Sequence, residues 1–254
     1  MYGYWQTICR KSGFRESLLM AIFAFKDFKV CHAQSPLKVN TDAILLGASV
    51  KIERANPSVL DVGTGSGVIA LLLASRFPDA YITGIDPNPG AFADAQMNFS
   101  DSKFAQRLTT LHCALAALPK DIKYDVIVSN PPYFLDSLPS SDAAGQDAKH
   151  ITRQAFFELF NDMMQRCKED GQIWLILPAG LAEEVQSFFK RNAWQLGAKI
   201  QFHASPNKLN KFGVLCFQRQ VKNCVVKELT IRQTDGSYHV DYKKLAGPYH
   251  DRSL

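Results

Sequence analysis

From residue 57 to residue 192 the sequence alternates short apolar, β-branched runs with longer stretches whose apolar residues recur at helical spacing. PSVLDV (57–62), AYITGID (80–86), LTTLHC (108–113), YDVIVSN (124–130) and QIWLILP (172–178) carry the strand pattern. VIALLLASRF (68–77), PGAFADAQMNF (89–99), FFELFNDMMQRC (156–167) and LAEEVQSFFKRN (181–192) carry the helical one. Strands joined through helices pair in parallel, because only a crossover returns the chain to the same end of the sheet, and that crossover is right-handed. The expected architecture is therefore α/β and doubly wound, with helices on both faces. Beyond residue 197, AKIQFHA, KFGVLCFQRQ and CVVKELTIRQ follow one another closely, with no helical pattern between the last two. Antiparallel strands are expected to finish the sheet there.

The chain has 254 residues, of which 46% are hydrophobic and 21% charged, enough for one large soluble domain with a substantial core. Its formal net charge of +5 permits an anionic partner. The distribution is more telling. Between Glu184 and Glu228 there is no acidic residue, while Lys190, Arg191, Lys199, Lys208, Lys211, Arg219, Lys222 and Lys227 all fall inside. Either a solvated face or a nucleic-acid footprint fits this stretch. The six cysteines form no CxxC pair, so reduced thiols are expected and no metal site. LLMAIFAF (18–25) is too short to span a membrane and lacks a cleavage site, which argues for a cytoplasmic protein. Residues 1–21 read as an extension, with Met20 an alternative start. A single domain is expected over 22–254, with a leading segment at 22–50 and the α/β core at 57–254.

Two motifs carry chemistry. DVGTGSG (61–67) lies between the first core strand and a helix. Gly63, Gly65 and Gly67 allow a tight turn and close approach of a ligand to free helix N–H groups. Asp86 ends the next strand, where its carboxylate can accept both hydroxyls of an adenosine ribose; a plain turn residue before Pro87 is the alternative. The second motif ends YDVIVSNPPYF (124–134). Pro131 and Pro132 lack N–H groups and cannot continue a ladder, so the strand must stop at Asn130, leaving an amide and the rings of Tyr133 and Phe134 at its tip.

DVGTGSG resembles motif I of class I S-adenosylmethionine-dependent methyltransferases, (D/E)xGxGxG, and NPPY resembles motif IV of the amino-methyltransferases. The resemblance implies a Rossmann-like, seven-stranded, mostly parallel sheet with one antiparallel strand. It implies S-adenosylmethionine as cofactor, with Asp61 facing its methionine ammonium. An exocyclic adenine amine is a poor nucleophile because its lone pair is delocalised. Acceptance of its hydrogens by the Asn130 side-chain carbonyl and the Pro131 carbonyl would hold the nitrogen and aim the lone pair at the methyl group. Tyr133 would stack on the base.

FAFKDFKVCHAQSPLKVNTDAILLGASV (23–50) is similar to the N-terminal region of the tRNA adenine-N6 methyltransferases that modify the adenosine 3′ of the anticodon, position 37, in a valine tRNA. Phe23, Phe25, Lys26, Phe28, Val30, His32, Lys38, Val39, Thr41, Asp42, Leu45, Leu46, Gly47 and Ala48 match that family's pattern. Leu37 stands for its Met, and Ser49 for its Trp. The resemblance implies that Lys38, Thr41 and Asp42 close one side of the cofactor pocket, and it extends to the Tyr-containing tail at 229–250. A capped helix, with Asn40 or Thr41 as cap, is the structural reading of the same residues. Where relatives often carry Asp to meet the cofactor's adenine, Leu115 stands here, which leaves backbone contacts near Ala114; Lys149 replaces an Arg. Phe134, Lys149, Arg153, Lys208 and Lys211 are the expected RNA contacts beside Tyr133. The sequence favours a monomer. Glutamine N5-methylation in a release factor and non-catalytic RNA binding remain the competing functions.

Overall fold

The computed structural model describes residues 22–133, 151–206, 208, 210–251 and 254. Phe134, Lys149 and the loop at 135–150 lie outside the described residues, as does the extension at 1–21.

An antiparallel pair, β1 (Ile22–Ala24) and β2 (Lys29–Cys31), leads into helix α1 (Thr41–Ser49). Asn40 is the cap of α1: its Oδ1 accepts the Ala43 N–H at 3.0 Å, satisfying one of the donors a helix start leaves open. The core then runs β3 (Ser58–Val62), α2 (Val68–Arg76), β4 (Tyr81–Ile85), α3 (Pro89–Asp101), β5 (Leu108–Leu111) and β6 (Tyr124–Ser129). It continues with α4 (Arg153–Arg166), β7 (Cys167–Pro178), α5 (Ala182–Arg191), β8 (Gln195–His203), β9 (Asn210–Gln218), β10 (Val225–Thr230) and α6 (Val240–Ala246).

Among the described residues the main sheet has the strand order β10-β8-β9-β7-β6-β3-β4-β5. Only β9 runs against its neighbours. The Rossmann-like fold with one antiparallel strand is thus as expected, with eight strands, as the segment patterns gave, where the resemblance implied seven, and β10 is parallel to β8 rather than antiparallel. The reason is geometric. The chain leaves β9 at the lower end of the sheet and must run upward again. Both sides of β9 are occupied by β7 and β8, so the next strand takes the free edge of β8, which also runs upward.

The strand β6 is buried at every position, which explains its unbroken apolar run. Helices α1, α2, α3 and α6 cover one face of the sheet. Their core joins Phe25, Phe28 and Val30 of the leading segment to Leu71, Leu72, Phe99 and Val214. Helices α4 and α5 cover the other face with Phe156, Phe160, Met163, Phe189 and Trp194. Phe189 and Phe217 stack at 3.9 Å between centroids. Each such fully buried ring contributes roughly 2–3 kcal/mol of transfer free energy. The tail closes on the start: the Lys26 N–H donates to the Tyr249 carbonyl at 2.9 Å, and Phe25 bridges to His250.

Candidate active site

The upper end of the sheet, where β3, β4 and β6 terminate, holds a cavity of about 370 Å³. Its walls come from the glycine loop (Gly63, Gly65), the end of β4 (Asp86), the turn at 113–115, the end of β6 (Ser129, Asn130, Pro132) and the leading segment (Ser35, Leu37). A second cavity of about 60 Å³ adjoins it, lined by Leu37, Asn40, Asp42 and all four residues Asn130, Pro131, Pro132 and Tyr133. Leu37, Asn130 and Pro132 belong to both.

The three loop glycines have different duties. All have positive φ, of 70°, 57° and 85°. A methyl group on Gly63 would meet nothing within 4 Å, so that position opens onto ligand space. On Gly67 it would stand 2.4 Å from the Phe99 ring, so that glycine is required by the packing of α3. The loop is pinned by N–H donation from Gly63 and Thr64 to the Ile85 carbonyl, each at 2.9 Å.

Asp86 lines the cavity. Its Oδ2 accepts the Gly65 N–H and its Oδ1 the Asn88 N–H, both at 2.9 Å. Burial raises its pKa against these two bonds. Each carboxylate oxygen keeps a lone pair for a hydroxyl donor. Asp61 sits beneath the loop, fully buried, and does not line the cavity in this structure. Thr64 Oγ1 donates to its Oδ2 at 2.7 Å, while Oδ1 is left without a hydrogen bond of normal geometry. Burial pushes its pKa to about 7, outweighing Thr64 and the Ala70 amide.

These features fit S-adenosylmethionine. Asp86 suits a ribose, and apolar Cys113, Ala114 and Leu115 offer a slot for a flat base, whereas Asp61, expected at the ammonium, has an unpaired oxygen but stands behind the loop and off the cavity wall. Leu115, 4% exposed, supplies packing where an Asp would have supplied a hydrogen bond.

The remaining expected site residues are less uniformly placed. Asp42 lines the small cavity beside Tyr133 rather than the large one, and Tyr133 has its phenol pKa raised by burial and by Asp42. Lys38 lines neither cavity; its Nζ donates to the His32 carbonyl at 2.6 Å and ties the leading segment into a tight loop. Thr41 is exposed at the start of α1. Arg153 is paired with Glu184 through its Nε at 2.9 Å and lies over the Phe157 ring.

The basic stretch divides between the two ends of the sheet. Lys208, in the β8–β9 turn, and Lys211, in β9, sit at the upper end with NPPY. Lys190 and Arg191, in the last turn of α5, sit at the lower end with Arg219 and Lys222, which follow β9. Arg219 stacks over Trp194 at 5.0 Å and pairs with Glu169 at 3.3 Å. A single continuous footprint is therefore not formed.

Residues 38–215 match the family model described as Methyltransferase small domain. The chain is 33% identical over 224 residues to the tRNA1(Val) (adenine(37)-N6)-methyltransferase of Pedobacter heparinus, covering 88% of this chain and 95% of the relative. It is 32% identical over 231 residues to the enzyme of the same name from Yersinia enterocolitica, covering 90% and 92%. The chain belongs to the tRNA1(Val) (adenine(37)-N6)-methyltransferase family.

Solved structures agree on the fold of this family member. A predicted O-methyltransferase from Agrobacterium tumefaciens superposes with a TM-score of 0.64 at 16% identity, covering 84% of this chain and 99% of that one. P. horikoshii TYW2 in complex with MeSAdo gives 0.53 at 14% identity, with 78% and 71% covered.

Three buried polar side chains that build the site of this methyltransferase family member were not singled out from sequence. Asp94 Oδ2 accepts the N–H groups of Gln34 at 2.9 Å and Ser35 at 2.6 Å. One turn later, Asn98 takes the Cys31 N–H at 2.8 Å and donates to the carbonyls of Cys31 and Ser66. Together they clamp the leading segment to the glycine loop. Arg166, fully buried, donates to the Leu118 carbonyl at 2.7 Å and fixes the turn behind Leu115. A signal existed: Ala91, Asp94, Ala95, Asn98 and Phe99 share one helical stripe, so two polar residues fall among the core-facing positions of α3. Among the described residues no group of three metal-ligating side chains occurs, and no helix is long and apolar enough to cross a membrane.

Proposed function

We propose that the protein transfers the methyl group of S-adenosylmethionine to the exocyclic N6 of adenosine 37 in a valine tRNA. One observation carries the reading: Asn130 and Pro132 belong to the walls of both cavities, so a donor in the large one and an amine in the small one meet at NPPY. When bound, S-adenosylmethionine supplies an electrophilic methyl on a sulfonium. Everything else is positioning. The Asn130 carbonyl and the Pro131 carbonyl accept the two amine hydrogens, and two prolines hold those acceptors rigid before the substrate arrives. Tyr133 stacks on the base once it leaves its own stack. Asp86 would hold the ribose, with Gly63, Gly65 and the Ala114 backbone along the cofactor, while Asp61, off the cavity wall, would reach the ammonium only after a shift of the loop above it. Lys38 and Thr41 shape the lip, while Asp42 contributes to the base side. No metal takes part in this scheme.

Lys208 and Lys211 are the phosphate contacts on the NPPY side, and Arg153 contributes only if it leaves Glu184; Phe134 and Lys149, expected RNA contacts, lie outside the described residues. Phosphate contacts make binding fall steeply with salt. The reading takes the protein as a monomer working in the cytoplasm, where tRNA is modified.

The test is transfer of labelled methyl to unmodified valine tRNA with nucleoside analysis. N6-methyladenosine at position 37 is expected. Asn130→Ala should lower the rate by more than roughly 100-fold with tRNA affinity nearly intact. A variant that retains wild-type rate removes Asn130 from the chemistry, and transfer to a protein glutamine instead would overturn the substrate.

A further inference from the structure

The lip of the large cavity carries a polar atom that the fold leaves unsatisfied. Ser35 is 2% exposed, and its Oγ is buried with no hydrogen-bond partner. An unpaired buried hydroxyl is destabilising, so its presence in a tightly held position calls for a partner from outside the chain. The position is tightly held. Asp94, itself fully buried, accepts the backbone N–H groups of both Gln34 and Ser35, and Asn98 grips Cys31 on the same strand of chain.

The hydroxyl faces the ligand loop. Ser35 lines the large cavity, and a methyl group built on Gly65 would stand 4.0 Å from Ser35 Oγ, with no other atom as near. Gly65 in turn donates its N–H to Asp86 Oδ2. Hydroxyl, glycine and carboxylate therefore form one stretch of wall. An ionised carboxylate only accepts hydrogen bonds, so it takes hydroxyl donors. A sugar hydroxyl that donates to Asp86 keeps lone pairs free, and a serine can donate to those.

We infer that Ser35 is a further cofactor-binding residue, whose hydroxyl hydrogen-bonds the ribose of the bound cofactor beside Asp86. The inference rests on the S-adenosylmethionine reading above. It makes the leading segment a direct ligand-binding element as well as a cover, with Asp94 and Asn98 as positioning residues behind it.

The experiment is calorimetric titration of the whole protein with S-adenosylhomocysteine and with its 2′-deoxy and 3′-deoxy analogues, beside thermal melting without ligand. Ser35→Ala should bind S-adenosylhomocysteine about five- to tenfold more weakly, the usual worth of one neutral hydrogen bond. The penalty for removing one of the two ribose hydroxyls should shrink in the variant, because the lost contact is shared. Melting of the unliganded variant should stay level or rise, since only an unpaired group is removed. Ser35→Cys, of similar shape with a weaker donor, should fall between. Wild-type affinity in Ser35→Ala, within about twofold, would overturn the inference, as would a fall in unliganded melting that accounts for weaker binding. Undiminished penalties for both deoxy analogues would place the contact off the ribose and overturn the assignment. If the wild-type protein binds no S-adenosylhomocysteine, the cofactor reading itself fails and takes this inference with it.

Discussion

Asp61 and Asp125 are buried aspartates on neighbouring, hydrogen-bonded strands, β3 and β6, separated by roughly 10 Å along the strand direction. Their surroundings are opposite. Asp125, at the lower end, accepts from the Ser58 amide at 2.8 Å and hydroxyl at 2.7 Å, and pairs with Arg54 at 2.7 Å and Lys168 at 2.9 Å. Burial pushes its pKa up, but Ser58 and Lys168 outweigh this and bring it down to about 2. Asp61, at the upper end, keeps one oxygen unpaired and is pushed up to about 7 by burial. Asp125 has every oxygen satisfied, whereas around the cavity Ser35, Asp61 and Asp94 each hold an unpaired oxygen; the lower end is not free of such groups, since Trp194 Nε1 and Arg166 Nε, just before β8 and β7, are unpaired as well. A site that binds must leave something unsatisfied until the ligand comes, and the rest of the fold offsets that cost.

The harshest way to break this comparison is at the satisfied aspartate. Asp125→Ala strands Lys168 and the Ser58 donors and should destabilise the protein by about 3 kcal/mol in denaturant unfolding. Next come the loop glycines. Gly67→Ala meets both a positive φ and the Phe99 ring, and should cost roughly 2–3 kcal/mol of stability. Gly63→Ala meets only the φ penalty of about 1 kcal/mol, and should weaken cofactor binding more than it weakens the fold. If the two cost the same stability, the division between packing and ligand glycines is wrong.

The contrast sharpens further through pH. A folded-state pKa raised above the unfolded value of about 4 means that Asp61 contributes stability present at low pH and lost as pH rises through 7. Asp125, with its pKa depressed, contributes stability present above about pH 4 and lost as pH falls through 2. Melting temperatures of unliganded protein should therefore sag at both extremes. Asp61→Asn should flatten the decline between about pH 4 and 7, leaving the part due to Asp86 and Asp94, whose pKa values burial also raises. An unchanged slope in that variant would show that Asp61 does not titrate as its burial implies.

The parallel core was legible because β6 and its neighbours advertise burial on both faces, and the strand ends because Pro87, after Asp86, and Pro131 and Pro132 lack the N–H that a ladder needs. The last strand was legible within CVVKELTIRQ, but its parallel pairing with β8 was not. VVKELT alternates little and is largely exposed, so its pairing depends on which edge is vacant, a property of the sheet and not of the segment. The cavity-facing motifs were also legible, since glycine, Asn and Pro impose backbone geometry locally. Asp94, Asn98 and Arg166 were harder, because a polar residue on a helix looks solvated until its stripe is counted. The division of the basic residues between two ends was hidden for another reason: a hairpin carries neighbours in sequence to opposite ends of a sheet within nine residues of β9.

The bond from Lys26 to Tyr249 and the bridge from Phe25 to His250 tie the segment that carries the lip of the cavity to residues far along the chain. Loosening the segment around Tyr249 and His250 therefore loosens one wall of the cofactor pocket from outside it, through the leading strands and not through any residue that lines the cavity.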